Sequence, residues 1–174
     1  MTSASRLNWC GVVESRTEVS AIVRAAGDAA VVVRGRPRLF VLGCPCGCGE
    51  VLPINLDPRA GPAWRLYRGR GGASLYPSVS RDSGCESHFI IWHDEISLFG
   101  RYAWEETELR ESEAPLRDAL LAKLSEQPVP FGVLAEAIEA VPWDVLMVCR
   151  RLVREGLVRE GKGKLRGSFA VRTD

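Results

Sequence analysis

Hydrophobic positions follow two different rhythms along the chain, and the change of rhythm divides the sequence into two parts. Between residues 30 and 99, short apolar runs are separated by Gly, Pro, Asn and Asp, a pattern typical of β-strands and turns. From residue 115 onwards, apolar side chains recur every three or four positions, as they do on amphipathic helices. We therefore predict the α+β class, with a small, mostly antiparallel β domain followed by a largely helical domain.

Turn signals bound the strands that we predict in the first part. A short strand over 9–13 comes first, and a helix over 16–26 follows it and ends at Gly27. The segment Gly35-Arg36-Pro37 predicts a hairpin turn between the first two strands of the β domain. The predicted strands of that domain cover residues 31–33, 39–42, 51–56, 64–67, 74–79, 88–92 and 95–99.

Three predicted helices followed by two predicted strands give the C-terminal part the pattern of a winged helix-turn-helix. The helices cover residues 115–126, 131–140 and 143–155, and the strands cover residues 157–160 and 168–171. Glutamates crowd residues 100–113 with little periodicity, so we interpret that stretch as a solvated acidic linker. The predicted domains are thus residues 1–99, an N-terminal segment with the β domain, and residues 114–174, the winged helix.

Composition narrows the class of protein without naming a function. The 174 residues are 46% hydrophobic and carry a net charge of +1, which excludes a strongly basic nucleic-acid scaffold. The first eight residues lack the apolar core of a signal peptide, and no run reaches the roughly 20 apolar residues of a membrane span. We therefore expect a cytoplasmic protein without a membrane partner, in a compartment where thiols stay reduced.

Cysteines form the most specific motif of the sequence. Cys44, Cys46 and Cys48 alternate with Pro and Gly, and Cys85 and His88 follow after a long interval. Thiolate sulfur and imidazole nitrogen are the ligands that tetrahedral zinc prefers, and the glycines permit the tight turns of a metal knuckle. We predict one zinc ion that stabilises the β domain; the alternative is a set of buried or disulfide-bonded cysteines.

The motif offers five candidate ligands where a tetrahedral ion needs four. If His88 and Cys85 bind the ion with two of the other cysteines, the site is closed and structural. If the four cysteines bind it, His88 is left to act as a base beside several hydroxyl groups. An open fourth position that holds water would instead make the metal catalytic. The sequence leaves this choice open.

Candidate catalytic groups cluster around the second half of the motif. Hydrolysis needs a nucleophile, a base and donors for the oxyanion. Near His88 the candidate nucleophiles are Ser78, Ser80, Ser83, Ser87 and any thiol that zinc leaves unused. A zinc-bound water with Glu86 as base is a second arrangement. The alternative is that the serines only cap a metal loop by hydrogen bonds to backbone or sulfur. No His-Glu-x-x-His or Gly-x-Ser-x-Gly motif is present.

Basic side chains of the C-terminal part suggest a binding surface. They are Arg150, Arg151, Arg154, Lys162, Lys164 and Arg166. A basic helix with a basic wing suits a DNA groove. However, residues 114–174 hold ten Lys and Arg against eight Asp and Glu, a net charge of only +2. DNA binding, docking of a protein partner and a purely structural role all stay open.

Several motifs together resemble one bacterial family. They are Cys-Pro-Cys-Gly-Cys-Gly-Glu at 44–50, Ile-Asn-Leu at 54–56, Trp64, Pro-Ser-Val at 77–79 and Gly-Cys-Glu-Ser-His-Phe at 84–89. In this order and spacing they resemble small predicted metal-binding proteins encoded beside ubiquitin-like modifiers and their E1- and E2-like enzymes. The resemblance covers roughly residues 30–99, and the winged helix lies outside it.

The resemblance implies a function that the residues alone do not. It implies a part in a bacterial ubiquitin-like conjugation pathway, with the modifier or its E1- and E2-like enzymes as partners. Within such a pathway, the implied activity is a peptidase that processes or removes the modifier. The alternative is a non-enzymatic zinc module whose winged helix docks a protein or binds DNA.

Overall fold

The computed structural model describes residues 3–98 and 114–172. They fall into two units, Met1–Trp104 and Glu105–Asp174, which are taken here one at a time. The predicted acidic linker at 100–113 lies outside the described residues, as does Phe99 at the end of a predicted strand. In the described part of the chain, no helix is both long and apolar enough to cross a membrane.

The first sheet of the first unit contains strands β1 to β4 in sequence order. The strands are β1 (Asn8–Val13), β2 (Asp28–Val33), β3 (Pro37–Gly43) and β4 (Val51–Asn55), and helix α1 (Arg16–Ile22) lies between β1 and β2. β2, β3 and β4 pair in antiparallel fashion, with the hairpin turn at the predicted place.

The start of this sheet adds one feature to the prediction and corrects another. β1 pairs with β2 in parallel, because α1 serves as a crossover that returns the chain to the same end of the sheet. The helix also ends at Ile22 rather than near residue 26. The Asp28 carboxylate accepts hydrogen bonds from the backbone of Arg24 and Ala25, at 2.9 and 2.8 Å, and turns the chain into β2.

The second sheet is antiparallel throughout and contains strands β5 to β8 in sequence order. The strands are β5 (Arg65–Gly69), β6 (Gly72–Ser80), β7 (His88–Trp92) and β8 (Glu95–Leu98). Both sheets bury side chains in one core, which includes Phe40, Leu42, Leu75, Phe89 and Ile91. A modest core of this kind gains from any additional link between the sheets.

A bulge in β6 sets which of its residues lie opposite the residues of β7. Leu75 pairs with Ile91 and Val79 pairs with Phe89, so β6 has two more residues than β7 in this interval. Beyond the bulge, Ser80 pairs directly with His88. Because side chains alternate along a strand, Ser78 lies on the same face as Ser80 and is the diagonal neighbour of His88.

The second unit combines three helices with a small antiparallel sheet of order β10-β11-β9. The helices are α2 (Ala114–Lys123), α3 (Phe131–Ala137) and α4 (Pro142–Arg154), and the strands are β9 (Val129–Pro130), β10 (Val158–Glu160) and β11 (Ser168–Val171). Its own core includes Leu120, Val145, Leu152 and Phe169. The α+β class is thus confirmed, while the two-residue strand β9 was missed because it is too short to show a pattern.

Candidate active site and metal centre

Four cysteine side chains meet at one point of the first unit. The sulfur atoms of Cys44, Cys46, Cys48 and Cys85 all lie within 4.8 Å of one another. Cys44 is buried, and the other three are half-buried. The six cysteines of the chain are free thiols, so the disulfide alternative does not describe this structure.

The chain builds this cluster from a tight knuckle and a distant loop. β3 runs directly into Cys44, whose backbone N–H donates to Glu50 O at 2.8 Å and whose carbonyl accepts from Gly47 N–H at 3.0 Å. Gly47 has a φ of 84°, a conformation that favours glycine. Cys85 arrives from the loop between β6 and β7, so the cluster joins the end of the first sheet to the second.

The sulfur positions fit a tetrahedral metal ion. With zinc–sulfur bonds of about 2.3 Å, a tetrahedron places its sulfur atoms about 3.8 Å apart. Cys44 Sγ lies 3.3 Å from Cys46 Sγ and 3.6 Å from Cys85 Sγ. The four thiols could therefore hold one ion with little rearrangement, and a set of four sulfur ligands suits zinc.

The thiols differ strongly in acidity. Burial raises the pKa of Cys44, and it raises the pKa of Cys46 to about 12. Burial also opposes the ionisation of Cys85, but hydrogen bonds from Ser87, Arg81 and Cys46 outweigh it and lower the pKa of this thiol to about 5. The Cys85 thiol thus ionises readily whereas those of Cys44 and Cys46 resist ionisation, and a bound divalent cation would remove that resistance.

Polar side chains surround the sulfur atoms. The Ser87 hydroxyl is buried and lies 3.2 Å from Cys85 Sγ and 3.5 Å from Cys44 Sγ. Arg81 Nη1 lies 3.2 Å from Cys85 Sγ and also forms an ion pair with Glu50. Ser87, one of the candidate nucleophiles, is thus placed where its hydroxyl group can support the clustered sulfur atoms.

His88 lies beside a serine. Its Nε2 atom is 3.0 Å from Ser78 Oγ, which is the distance of a hydrogen bond. The two side chains meet across β6 and β7 in the diagonal arrangement that the bulge creates, and both are half-buried. Of the remaining candidate serines, Ser80 is exposed on β6 and Ser83 is exposed in the loop between the strands.

Trp64 supports Ser78 from the other side of β6. Its indole N–H donates to the Ser78 carbonyl at 3.3 Å, and its backbone N–H donates to Asn55 O at 2.8 Å at the end of β4. β5 pairs with β6 only as far as Tyr76, so the indole takes the place of the next strand at Ser78. In the sequence, Trp64 stood out only as part of a family motif.

A group of charged residues around Asp57 was not predicted from the sequence. This carboxylate is only 3% exposed and forms ion pairs with Arg36, Arg38 and Arg59. Asp57 follows β4 and caps a short 3-10 helix (Pro58–Ala60), where it accepts from Arg59 N–H at 3.2 Å. The alternating Arg34, Arg36 and Arg38 around the turn between β2 and β3 were the available signal.

The basic candidates of the second unit lie on α4 and on the connection between β10 and β11. Arg150 and Arg154 are exposed on α4. The connection forms a short 3-10 helix (Gly163–Leu165), and its three basic side chains are exposed beside Leu165, which is itself 51% exposed. This surface is apolar at its tip and cationic around it.

The first unit thus contains both a four-cysteine cluster and a serine–histidine pair. Residues 15–99 match the model of the family described as bacterial ubiquitination-like system serine protease (BubE). The matched segment contains the four clustered cysteines, Ser78 and His88, and the second unit lies outside it. No curated protein and no solved structure matches the chain.

Proposed function

We propose that this protein is a serine hydrolase that cuts the peptide or isopeptide bond at the C-terminus of a ubiquitin-like modifier. The observation that carries the proposal is the 3.0 Å separation between Ser78 Oγ and His88 Nε2. A nucleophile and a base within hydrogen-bond reach are the minimum for acyl transfer. The description of the matching family, a serine protease of a ubiquitination-like system, supports both the reaction and the kind of substrate.

The reaction begins with proton transfer from Ser78 to His88. With its own proton on Nδ1, neutral His88 accepts the Ser78 hydroxyl proton at Nε2 while Oγ attacks the scissile carbonyl carbon. Collapse of the tetrahedral intermediate breaks the C–N bond, and His88 returns the proton to the leaving amine. Water, activated by His88 in the same way, then hydrolyses the acyl ester and regenerates the Ser78 hydroxyl.

We propose that the four cysteines hold a structural zinc ion. When bound, the ion ties four thiolates into a closed site and adds its binding free energy to folding. Cys85 and Ser87 immediately precede His88, so pinning this loop to the knuckle at Cys44 fixes the start of β7. Fixed positioning of the histidine is what makes a serine nucleophile efficient.

The direct test of the proposed function uses the purified chain and the precursor of the modifier from its own pathway. Mass spectrometry after incubation should show one new product, truncated at the end of the modifier sequence. An unchanged precursor and unchanged conjugates would favour a non-enzymatic zinc module.

Replacing Trp64 by phenylalanine should lower kcat about fivefold to tenfold, because the lost indole N–H leaves the Ser78 carbonyl without a bond worth about 1 kcal/mol. KM should change little, since the indole acts on the nucleophile and not on the substrate. Steady-state kinetics check this, and Trp92→Phe is the matched control in the same sheet. Equal losses in both variants would mean that Trp64 acts only through general packing.

For the second unit, we propose a winged helix that docks a protein partner of the same pathway. The cationic surface with an apolar tip, Leu165 between Lys164 and Arg166, favours an acidic protein surface over a DNA groove. A DNA-binding wing would carry the strong net positive charge that this unit lacks.

Charge reversal of the wing should separate docking from chemistry. Changing Lys162, Lys164 and Arg166 to Glu in the full chain should slow processing of the whole modifier conjugate but leave cleavage of a short peptide unchanged. Arg172→Glu, beyond β11, is the control. Tight duplex DNA binding by the unmodified chain that weakens steeply with salt would contradict the docking role.

A further inference from the structure

We propose that Arg36, Arg38 and Arg59 form a binding site for acidic side chains of the peptide substrate. This inference rests on the proposed function, because it names what the same enzyme recognises away from the reacting bond. The arginines gather around one buried carboxylate, that of Asp57. Three positive charges against one negative charge leave the group with a net charge of +2.

Asp57 orders the three guanidinium groups but cannot pair with all of their N–H donors. The Asp57 carboxylate is 3% exposed, whereas the three arginine side chains are 38% to 60% exposed. Each guanidinium carries five N–H donors. Among the described residues, three buried donors, Nε and Nη2 of Arg36 and Nε of Arg38, have no hydrogen-bond partner, so the donors open to a ligand lie on the exposed parts of the three side chains. A single carboxylate therefore orders more guanidinium groups than it can satisfy.

Guanidinium groups held in this way suit carboxylates best. The planar fork of arginine matches a carboxylate with two parallel hydrogen bonds, and ordering by Asp57 reduces the entropy that binding would otherwise cost. The proposed substrate is a protein segment, whose anionic groups are the carboxylates of Asp and Glu. The ligand class is therefore an acidic peptide.

Trp64 places this arginine cluster within reach of the nucleophile. Its backbone bonds to Asn55, two residues before Asp57, and its indole bonds to the Ser78 carbonyl. This short path keeps Asp57 within about 20 Å of Ser78, a distance that about six residues of extended peptide span. An extended segment next to the scissile bond can thus reach the arginines.

Peptide binding to the full chain with Ser78→Ala tests the site without any need for cleavage. The probes are a fluorescein-labelled decapeptide with alternating Glu and Gly, and the same peptide with Gln in place of Glu. Fluorescence anisotropy should show the acidic peptide bound about tenfold more tightly, as charge-assisted hydrogen bonds predict. Adding Arg38→Gln and Arg59→Gln should bring the two affinities together.

The control is Arg34→Gln, which removes an arginine of the same hairpin that bonds to the Glu14 carbonyl and not to Asp57. It should keep the preference for the acidic peptide. If the double variant loses its fold by thermal unfolding, Arg36→Gln replaces it, since Arg36 contacts Asp57 at 3.4 Å without a hydrogen bond at that nitrogen. Equal affinity for both peptides in the parent, or a preference that survives loss of the arginines, would overturn the site. A parent that binds selectively while the native chain cleaves no substrate would overturn the proposed function alone.

Discussion

Replacing Ser78 by alanine is expected to lower kcat/KM for modifier cleavage by about 10⁴-fold or more, the scale seen when a serine hydrolase loses its nucleophile. Metal content and the thermal unfolding midpoint should stay at their wild-type values. The reason is that Ser78 Oγ touches the proposed base, whereas the four clustered cysteines and the core are other side chains. Kinetics with the modifier precursor, elemental analysis and calorimetry measure the three quantities.

Two serines serve as matched controls for this variant. Ser80 pairs directly with His88 on β6, and Ser83 is exposed in the following loop. Ser80→Ala and Ser83→Ala should retain activity within about threefold, because both side chains are exposed and substitutions of exposed side chains usually have small effects. If Ser83→Ala abolishes cleavage and Ser78→Ala does not, the nucleophile has been assigned to the wrong side chain.

Replacing Cys46 by serine should remove the metal and unfold the first unit at 25 °C. Structural zinc contributes about 10–16 kcal/mol of apparent binding free energy in small zinc domains, which equals or exceeds the whole stability of an ordinary domain. The helical circular dichroism signal of the second unit should persist, because the cores of the two units are separate clusters.

Cys10→Ser provides the comparison, since Cys10 lies outside the cluster and its thiol donates instead to Asn8 O at 3.5 Å. This variant should keep one metal ion per chain and the wild-type unfolding midpoint. Stoichiometric metal in the Cys46 variant, or a stable first unit without metal, would contradict a structural metal site.

The cysteine cluster could be predicted from the sequence, whereas the serine–histidine pair could not. The cysteines were predictable because thiols spaced by Pro and Gly carry their chemistry in the residue types themselves. The partner of His88 was not, because it depends on strand register. The two extra residues in β6 set Ser80 directly opposite His88 and leave Ser78 diagonal to it, where its hydroxyl meets the imidazole. For the same reason, the sequence did not show which four of the five candidate metal ligands lie together.

For the other elements, too, physical causes decided what could be predicted from the sequence. Helices of the second unit were predictable from their apolar repeat, and α4 begins and ends within one residue of the prediction. The parallel pairing of β1 was not, because it depends on how α1 crosses the sheet. The arginines around Asp57 were also missed, since burial of a single carboxylate after β4 is a property of the folded chain.

Covalent labelling with a fluorophosphonate tests the central claim most directly. This reagent reacts with a serine only where a base has made the hydroxyl nucleophilic. Mass spectrometry of the labelled chain should locate one adduct on Ser78, and His88→Gln should abolish the labelling while the four-cysteine metal site stays loaded. An adduct on Ser83 or Ser87, or labelling of Ser78 that is unchanged without His88, would contradict the Ser78–His88 mechanism.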